Sequence, residues 1–134
     1  MGKVFGYPEF DEKGEKILTT YDNDYKDMMM DIRVYRMKAG ETRTFGFEGE
    51  ETAVLLLEGK ITFSWDDQKA QVSRESVFTE GPWCVHVCTG AKVSVAADTE
   101  AEILVQRTKN EKEFPGKLYK PEDAPWGYSC VGKF

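Results

Sequence analysis

At 134 residues, with 40% hydrophobic and 31% charged residues, the chain has the composition of one soluble globular domain, long enough to bury roughly two thirds of its unfolded surface. Its 24 acidic against 18 basic residues leave a net charge of −6 and no cluster of Lys and Arg, which excludes nucleic acid and other polyanions as partners. No apolar run reaches the ~18 residues of a membrane helix, Met1–Phe5 opens no secretory core, and three cysteines, an odd number, predict thiols in the cytosol. A small anion stays admissible, because at about 10 Å in water one protein charge contributes only about 0.4 kcal/mol and a single local Arg outweighs it.

In chain order, Val4-Phe5 is a short apolar piece. Phe10 to Glu15 reads as a turn built on Asp11 and Gly14, and Lys16 to Tyr21 as a strand. Met28 to Met37 follows. Ile32 and Val34 share one face of it and Arg33 and Tyr35 the other, so a half-buried strand is predicted, with Met28, Met29 and Met30 as adaptable core filler. Lys38 to Thr42 is a turn and Arg43 to Phe47 a strand.

Glu48 to Glu51 reads as an acidic loop. Val54 to Leu57 then runs up to Glu58-Gly59-Lys60, and Ile61, Phe63 and Trp65 alternate beyond it, which predicts a hairpin turning at Gly59. Its first strand is apolar on both faces and belongs in the middle of a layered or closed sheet. Asp66 to Lys69 is a second hairpin turn, returning through Ala70 to Val72. Ser76 to Phe78 leads to Gly81-Pro82. Trp83 to Val87, Lys92 to Ala96 and Ala101 to Arg107 are strands, with a turn at Thr89 to Ala91. Turns recur every eight to twelve residues without a capped helical period, the pattern of a β-sandwich or barrel. The expected organisation is a single domain over 1–134, with a core at about 16–107 and an irregular tail over 108–134, docked through Leu118, Tyr119, Trp126 and Tyr128.

His86 is the single histidine, so no site of two or three histidines fits within one copy of the chain. There is no Gly-x-Ser-x-Gly turn, no Gly-x-Gly-x-x-Gly motif, and no phosphate loop at Glu58-Gly59-Lys60. Cys84, His86 and Cys88 share one face of a strand, with Trp83, Val85 and Val87 on the other. At ~3.3 Å per residue the two cysteines lie about 13 Å apart. Each sulfur reaches a metal only about 5 Å from its own Cα, so the pair cannot share one ion on a regular strand. No depressed thiol pKa is legible for Cys88, and no role for Cys84 or Cys130. Glu48, Glu50 and Glu51 read as a solvated loop rather than a hard-cation site. Arg33, Arg43, Arg74 and Arg107 each offer the fork that grips a carboxylate. His86 and Tyr35 are the candidates for acid–base chemistry. Arg43, His86 and Trp83 are the candidates for ligand contact. No metal and no cofactor are expected.

Val34 to Thr42, then Thr52 to Lys60, then Arg74 to Phe78 with Gly81-Pro82, resemble a cupin in order and spacing. More narrowly they resemble the N-terminal half of the 5-deoxy-glucuronate isomerases of inositol catabolism, relatives of the 5-keto-4-deoxyuronate isomerases. The resemblance runs from about Met28 to Asp123, ending in Leu118-Tyr119-Lys120-Pro121-Glu122-Asp123. It implies an all-β fold, a single cupin-type jelly-roll β-barrel. For the full-length relatives it implies an aldose–ketose isomerisation of a sugar acid, with the metal ligands in a C-terminal half. In this chain's own cupin motif the histidine positions correspond to Gly46 and Glu48, the glutamate to Thr52, and the last histidine falls near Val93.

The expected function is therefore a cupin without the usual metal site. It would act as a binding or assembly module for a small anionic or sugar ligand and form a homodimer through exposed strand edges. Two alternatives stand beside it. One is a metal-independent sugar-acid isomerase using His86, Tyr35 and Arg43 as base, acid and clamp; the other is one half of a split two-chain isomerase.

Overall fold

The computed structural model describes residues 9–19, 30–75 and 83–120. The expectations for Val4, Phe5, Tyr21, Met28, Met29, Ser76 to Phe78, Gly81-Pro82, Trp126, Tyr128 and Cys130 lie outside these residues. Every regular element among the described residues is a strand: β1 Glu15–Thr19, β2 Asp31–Met37, β3 Thr42–Phe45, β4 Glu50–Trp65, β5 Gln68–Arg74, β6 Trp83–Val87, β7 Val93–Ala97, β8 Ala101–Lys109 and β9 Lys117–Tyr119. No helix among them is long and apolar enough to cross a membrane.

The pairings form two antiparallel ladders. One runs β1-β2-β8-β4-β6-β9, and the other joins β3 to β7, β7 to β4 and β4 to β5. The ladders face each other over the apolar core as a jelly-roll-like β fold, and hydrogen bonding among the described residues does not close them into a full cylinder.

β4 belongs to both ladders, and this corrects the hairpin expected at Gly59. Residues 50–58 pair with β8 and β6, whereas 59–65 pair with β5 and β7, so the chain runs straight on through Gly59. The inward residues change parity on the way. Thr52, Val54 and Leu56 face the core before a register shift between Leu56 and Glu58, and Ile61, Phe63 and Trp65 face it afterwards. A one-residue bulge of this kind re-aims every later side chain and bends the strand from one layer into the next. Gly59 sits at the bend with φ of 109°, and an added Cβ would lie 2.6 Å from both Ala101 Cβ and the Glu100 carbonyl. A turn and a corner both select glycine there, which is why the two could not be told apart. For the same reason Glu50 and Glu51 are the first residues of a strand rather than part of a loop. The prediction of a central, doubly apolar strand holds, with Leu55 and Leu56 exposed only 4% and 0% on its two faces.

The turn at Asp66-Asp67 has positive φ at both residues, 44° and 67°, the two-residue geometry that matches the twist of a hairpin. At the N-terminal turn, Asp11 Oδ1 accepts from the amides of Lys13 (2.8 Å) and Glu15 (3.0 Å). Those two amides, Glu15 first, hold the Asp11 carboxyl below the usual carboxylate range. After Lys109 the chain is irregular until β9, whose Leu118 packs against the core and whose pairing with β6 fastens this segment to the sheet.

Candidate functional site: the mouth of the fold

β2 turns its polar face inward at one end. Asp31, Arg33 and Tyr35 alternate along it, and Arg107 stands opposite Asp31 on β8. With Phe45 and Phe47 across the layer gap they line a cavity of about 240 Å³. At about 30 Å³ per water this holds roughly eight waters, the scale of a single monosaccharide.

Asp31 is 3% exposed, so its charge must be compensated. Arg33 does this in a two-pronged contact, Nε to Oδ1 at 2.9 Å and Nη2 to Oδ2 at 3.1 Å, while its Nη1 donates to Glu15 Oε2 at 2.9 Å. The bond to Asp31 first, then that to Glu15, outweighs burial and strengthens the Arg33 guanidinium's hold on its proton. Arg107 Nη2 donates to the same Asp31 Oδ2 at 3.2 Å, its Nε lies 3.4 Å from Glu50 Oε2, and its guanidinium stacks 3.9 Å from the Phe47 ring. Tyr35 Oη donates to Glu15 Oε2 at 2.8 Å. Burial first, then Glu15, pushes the Tyr35 hydroxyl up to about 12, so it is a neutral donor at physiological pH. Burial also works to raise Glu15, but the bonds from Arg33 and Tyr35 together overcome it and hold that carboxyl below the usual range.

The sequence-derived residues divide between two faces. Tyr35 lines the mouth, whereas Arg43, its guanidinium 4.8 Å from the Tyr35 ring centroid, lines a separate open groove of about 560 Å³ with Phe10, Lys13, Arg36 and Glu41. Arg43 is itself held by Glu41 at 2.8 Å and by the Lys13 carbonyl. Trp83 packs half-buried against the core. His86 is elsewhere. Val85 and Val87 on β6 point into the core, so strand alternation puts His86 on the outer face with Cys84. There His86 Nε2 lies 3.0 Å from Glu51 Oε1, its ring 4.8 Å from that of Phe114, and Asn110 Nδ2 donates to the other Glu51 oxygen. The expected trio of His86, Tyr35 and Arg43 is therefore not one site. Arg74 is also removed from the mouth, donating from Nη1 to the Leu56 carbonyl at 2.8 Å. The residues missed in the sequence are Asp31, Glu15, Glu50, Phe45 and Phe47. The period-two spacing of Asp31, Arg33 and Tyr35 was the available signal, but which face pointed inward was not legible.

Residues 6–128 match the KduI/IolB family. The chain belongs to that family. It is 29% identical over 92 residues to the 5-deoxy-glucuronate isomerase of Lacticaseibacillus casei, a match covering 66% of this chain and 34% of the relative. The chain thus spans about a third of the length of that curated relative. Among solved structures it is similar to an IolB-like protein of Salmonella typhimurium LT2, with TM-score 0.66, 23% identity, and 70% of this chain and 37% of the other covered. It is also similar to a cupin 2 domain-containing protein of Halorhodospira halophila, with TM-score 0.58, 13% identity, and coverage of 86% and 75%. These likenesses establish the cupin-type jelly-roll fold.

The positions that resemble a cupin metal motif do not fit a metal here. A Cβ on Gly46 would lie 2.5 Å from the Ala91 carbonyl oxygen and 2.8 Å from Lys92 Cδ, which leaves no space for an imidazole. Thr52 offers a neutral hydroxyl, and Val93 only hydrocarbon. Glu48 lies beside the turn at Gly90, with Oε2 2.9 Å from the place a Gly90 Cβ would take. Among the described residues no three His, Cys, Asp or Glu side chains are grouped to hold an ion.

Proposed function

We propose that this KduI/IolB-family chain is a binding module for one monosaccharide-sized, sugar-acid-like ligand held at the mouth. The observation that carries this reading is the 240 Å³ cavity, in which a network of buried Asp31 with half-buried Arg33 and Arg107 faces the rings of Tyr35, Phe45 and Phe47. Small-molecule sites have this composition: apolar walls that exclude water, and a few fixed polar groups that orient the ligand.

Charge sets the ligand class. Arg33 is fully engaged by Asp31 and Glu15, at 2.9 to 3.1 Å. Arg107 meets Asp31 and Glu50 at 3.2 and 3.4 Å, longer than the bonds of Arg33, so a ligand carboxylate competes for these two contacts rather than for those of Arg33. With Asp31, Glu15 and Glu50 beside two arginines the network carries a net −1, so the ligand is one rich in hydroxyls with no more than one carboxylate, held by displacing Asp31 or Glu50 from Arg107. The name of the Lacticaseibacillus relative supports the same class.

Calorimetric titration with D-glucuronate, D-galacturonate, D-glucose and myo-inositol tests the reading. Binding of a uronate, weakened at least tenfold in Arg107→Met, is expected; no binding of any of the four would overturn it. The working form is a homodimer in the cytosol, supported by the outer edges of β1 and β9, which end the larger ladder among the described residues, and by the Cys88 thiol. Sedimentation at monomer mass would remove the dimer. The net charge of −6 supports partners that are neither nucleic acid nor an anionic membrane surface.

A further inference from the structure

Among the described residues, Thr52 Oγ1 and Trp65 Nε1 are buried side-chain atoms with no hydrogen-bond partner. Both residues are almost wholly enclosed, Thr52 at 1% and Trp65 at 5% exposure. A buried hydroxyl or indole N–H left unmatched destabilises a fold, and a valine or phenylalanine would fill either place without that penalty.

The two lie at the same end of the molecule as the mouth. Thr52 stands in register between Arg107 on β8 and Val87 on β6, so its inward side chain is the next one beyond a residue that lines the cavity. Trp65 stands in register with Val93, which pairs in turn with Phe45 of the cavity wall. Gly116 links the two sides. A Cβ placed there would be 2.9 Å from Trp65 Cδ1, the atom bonded to Nε1, and 3.2 Å from Val87 Cγ1. The indole N–H edge and Thr52 thus converge on Val87 from opposite ladders. Arg107, held by Asp31 and Glu50, stands between them and the present cavity.

We propose that Thr52 and Trp65 form a hydroxyl-recognition subsite beside the mouth, on the far side of Arg107, reached when a bound ligand draws Arg107 away from Asp31. The inference rests on the sugar-acid reading and adds to it: the carboxylate is held outside by Arg107, and a ligand hydroxyl inside accepts from Trp65 Nε1 and pairs with Thr52 Oγ1. A polar group of this kind selects for a substituent at one end of the ligand, because an analogue lacking it leaves both protein atoms unmatched.

The test is titration of the full chain with D-glucuronate, comparing wild type with Thr52→Val, Trp65→Phe and Arg107→Met, and recording the thermal midpoint of each. Thr52→Val and Trp65→Phe should each weaken binding about tenfold, the effect of one lost hydrogen bond. The midpoint of ligand-free Thr52→Val should be unchanged or higher. Undiminished affinity in both variants, with Arg107→Met still weakened, would overturn the subsite and leave the mouth reading intact. A midpoint lowered by more than about 5 °C in Thr52→Val would assign the hydroxyl a structural partner instead and overturn the subsite as well. No binding by wild type would overturn both.

Discussion

Glu15 and Tyr35 stand opposite each other in the β1–β2 register, and the Tyr35 hydroxyl donates to Glu15 Oε2 at 2.8 Å. The Tyr35 hydroxyl is raised from 10.0 to about 12, by burial and then by this carboxylate. A raised folded value means that the native state keeps its proton longer than the unfolded chain does. The stability so gained is complete below pH 10.0 and is lost as the pH climbs toward about 12. Absorbance titration should show one of the six tyrosines ionising late. In Tyr35→Phe that late step should vanish and the alkaline unfolding limb should flatten.

The same carboxylate has an acid-side consequence of opposite sign. Glu15 is held below the usual glutamate range, so its contribution is present above that range and disappears as the pH falls through the lowered folded value. Glu15→Gln should remove part of the acid dependence of the urea midpoint between pH 5 and 2 (about these limits). An unchanged acid limb would show that Arg33 does not draw on Glu15.

Asp31 pairs with two arginines from a place with 4% side-chain exposure. Replacing it with Asn leaves Arg33 dependent on Glu15 and Arg107 on Glu50. Because the two guanidiniums are 26% and 19% exposed and each keeps a second carboxylate, the loss should be about 1–3 kcal/mol. Urea denaturation of Asp31→Asn should show a loss of that size; less than about 1 kcal/mol would mean that water reaches the network freely.

Gly59 at the corner of β4 admits no side chain without displacing β8 or the turn before it, given the 2.6 Å approaches to Ala101 Cβ and the Glu100 carbonyl. Its φ of 109° adds backbone strain for any other residue. Gly59→Val should destabilise by about 3 kcal/mol or more. Thermal unfolding measures it, and a midpoint equal to wild type would remove the corner from the account.

His86, for all its prominence as the single histidine, faces away from the mouth. His86→Ala should leave uronate affinity within about twofold of wild type. It should speed amide exchange in 110–116, where Asn110 and Phe114 lean on the Glu51–His86 pair. A large loss of affinity would place the ligand on the outer face instead.

Most strands were legible because their alternation is local: Trp83–Val87 was readable to the residue, and the Asp66-Asp67 turn from its own chemistry. β4 reads as a hairpin because a corner differs from one only in which strands flank it, and the partners on either side of the corner, Glu102 for Glu58 and Arg74 for Gly59, lie 44 and 15 positions away in sequence. The mouth was half legible for a related reason. Arg33 and Tyr35 were recognised as sharing a face, yet Val34 looked like the better inward residue, and it is indeed buried at 5%, on the outer side. The outer face of β2 is covered at Val34 alone, with Arg36 exposed, and only the arrival of Arg107 from β8 and Phe47 from the opposite layer makes the polar face the interior of a cavity. His86 drew notice by rarity, a property of composition that carries no direction in space.

The passage of β4 through both ladders also bears on how the molecule comes apart. Neither layer can peel off by itself, since detaching β5 and β7 or β6 and β8 strips hydrogen bonds from the same continuous backbone. Melting is thereby made concerted, with β4 the last piece to let go and its amides the slowest to trade hydrogen for deuterium.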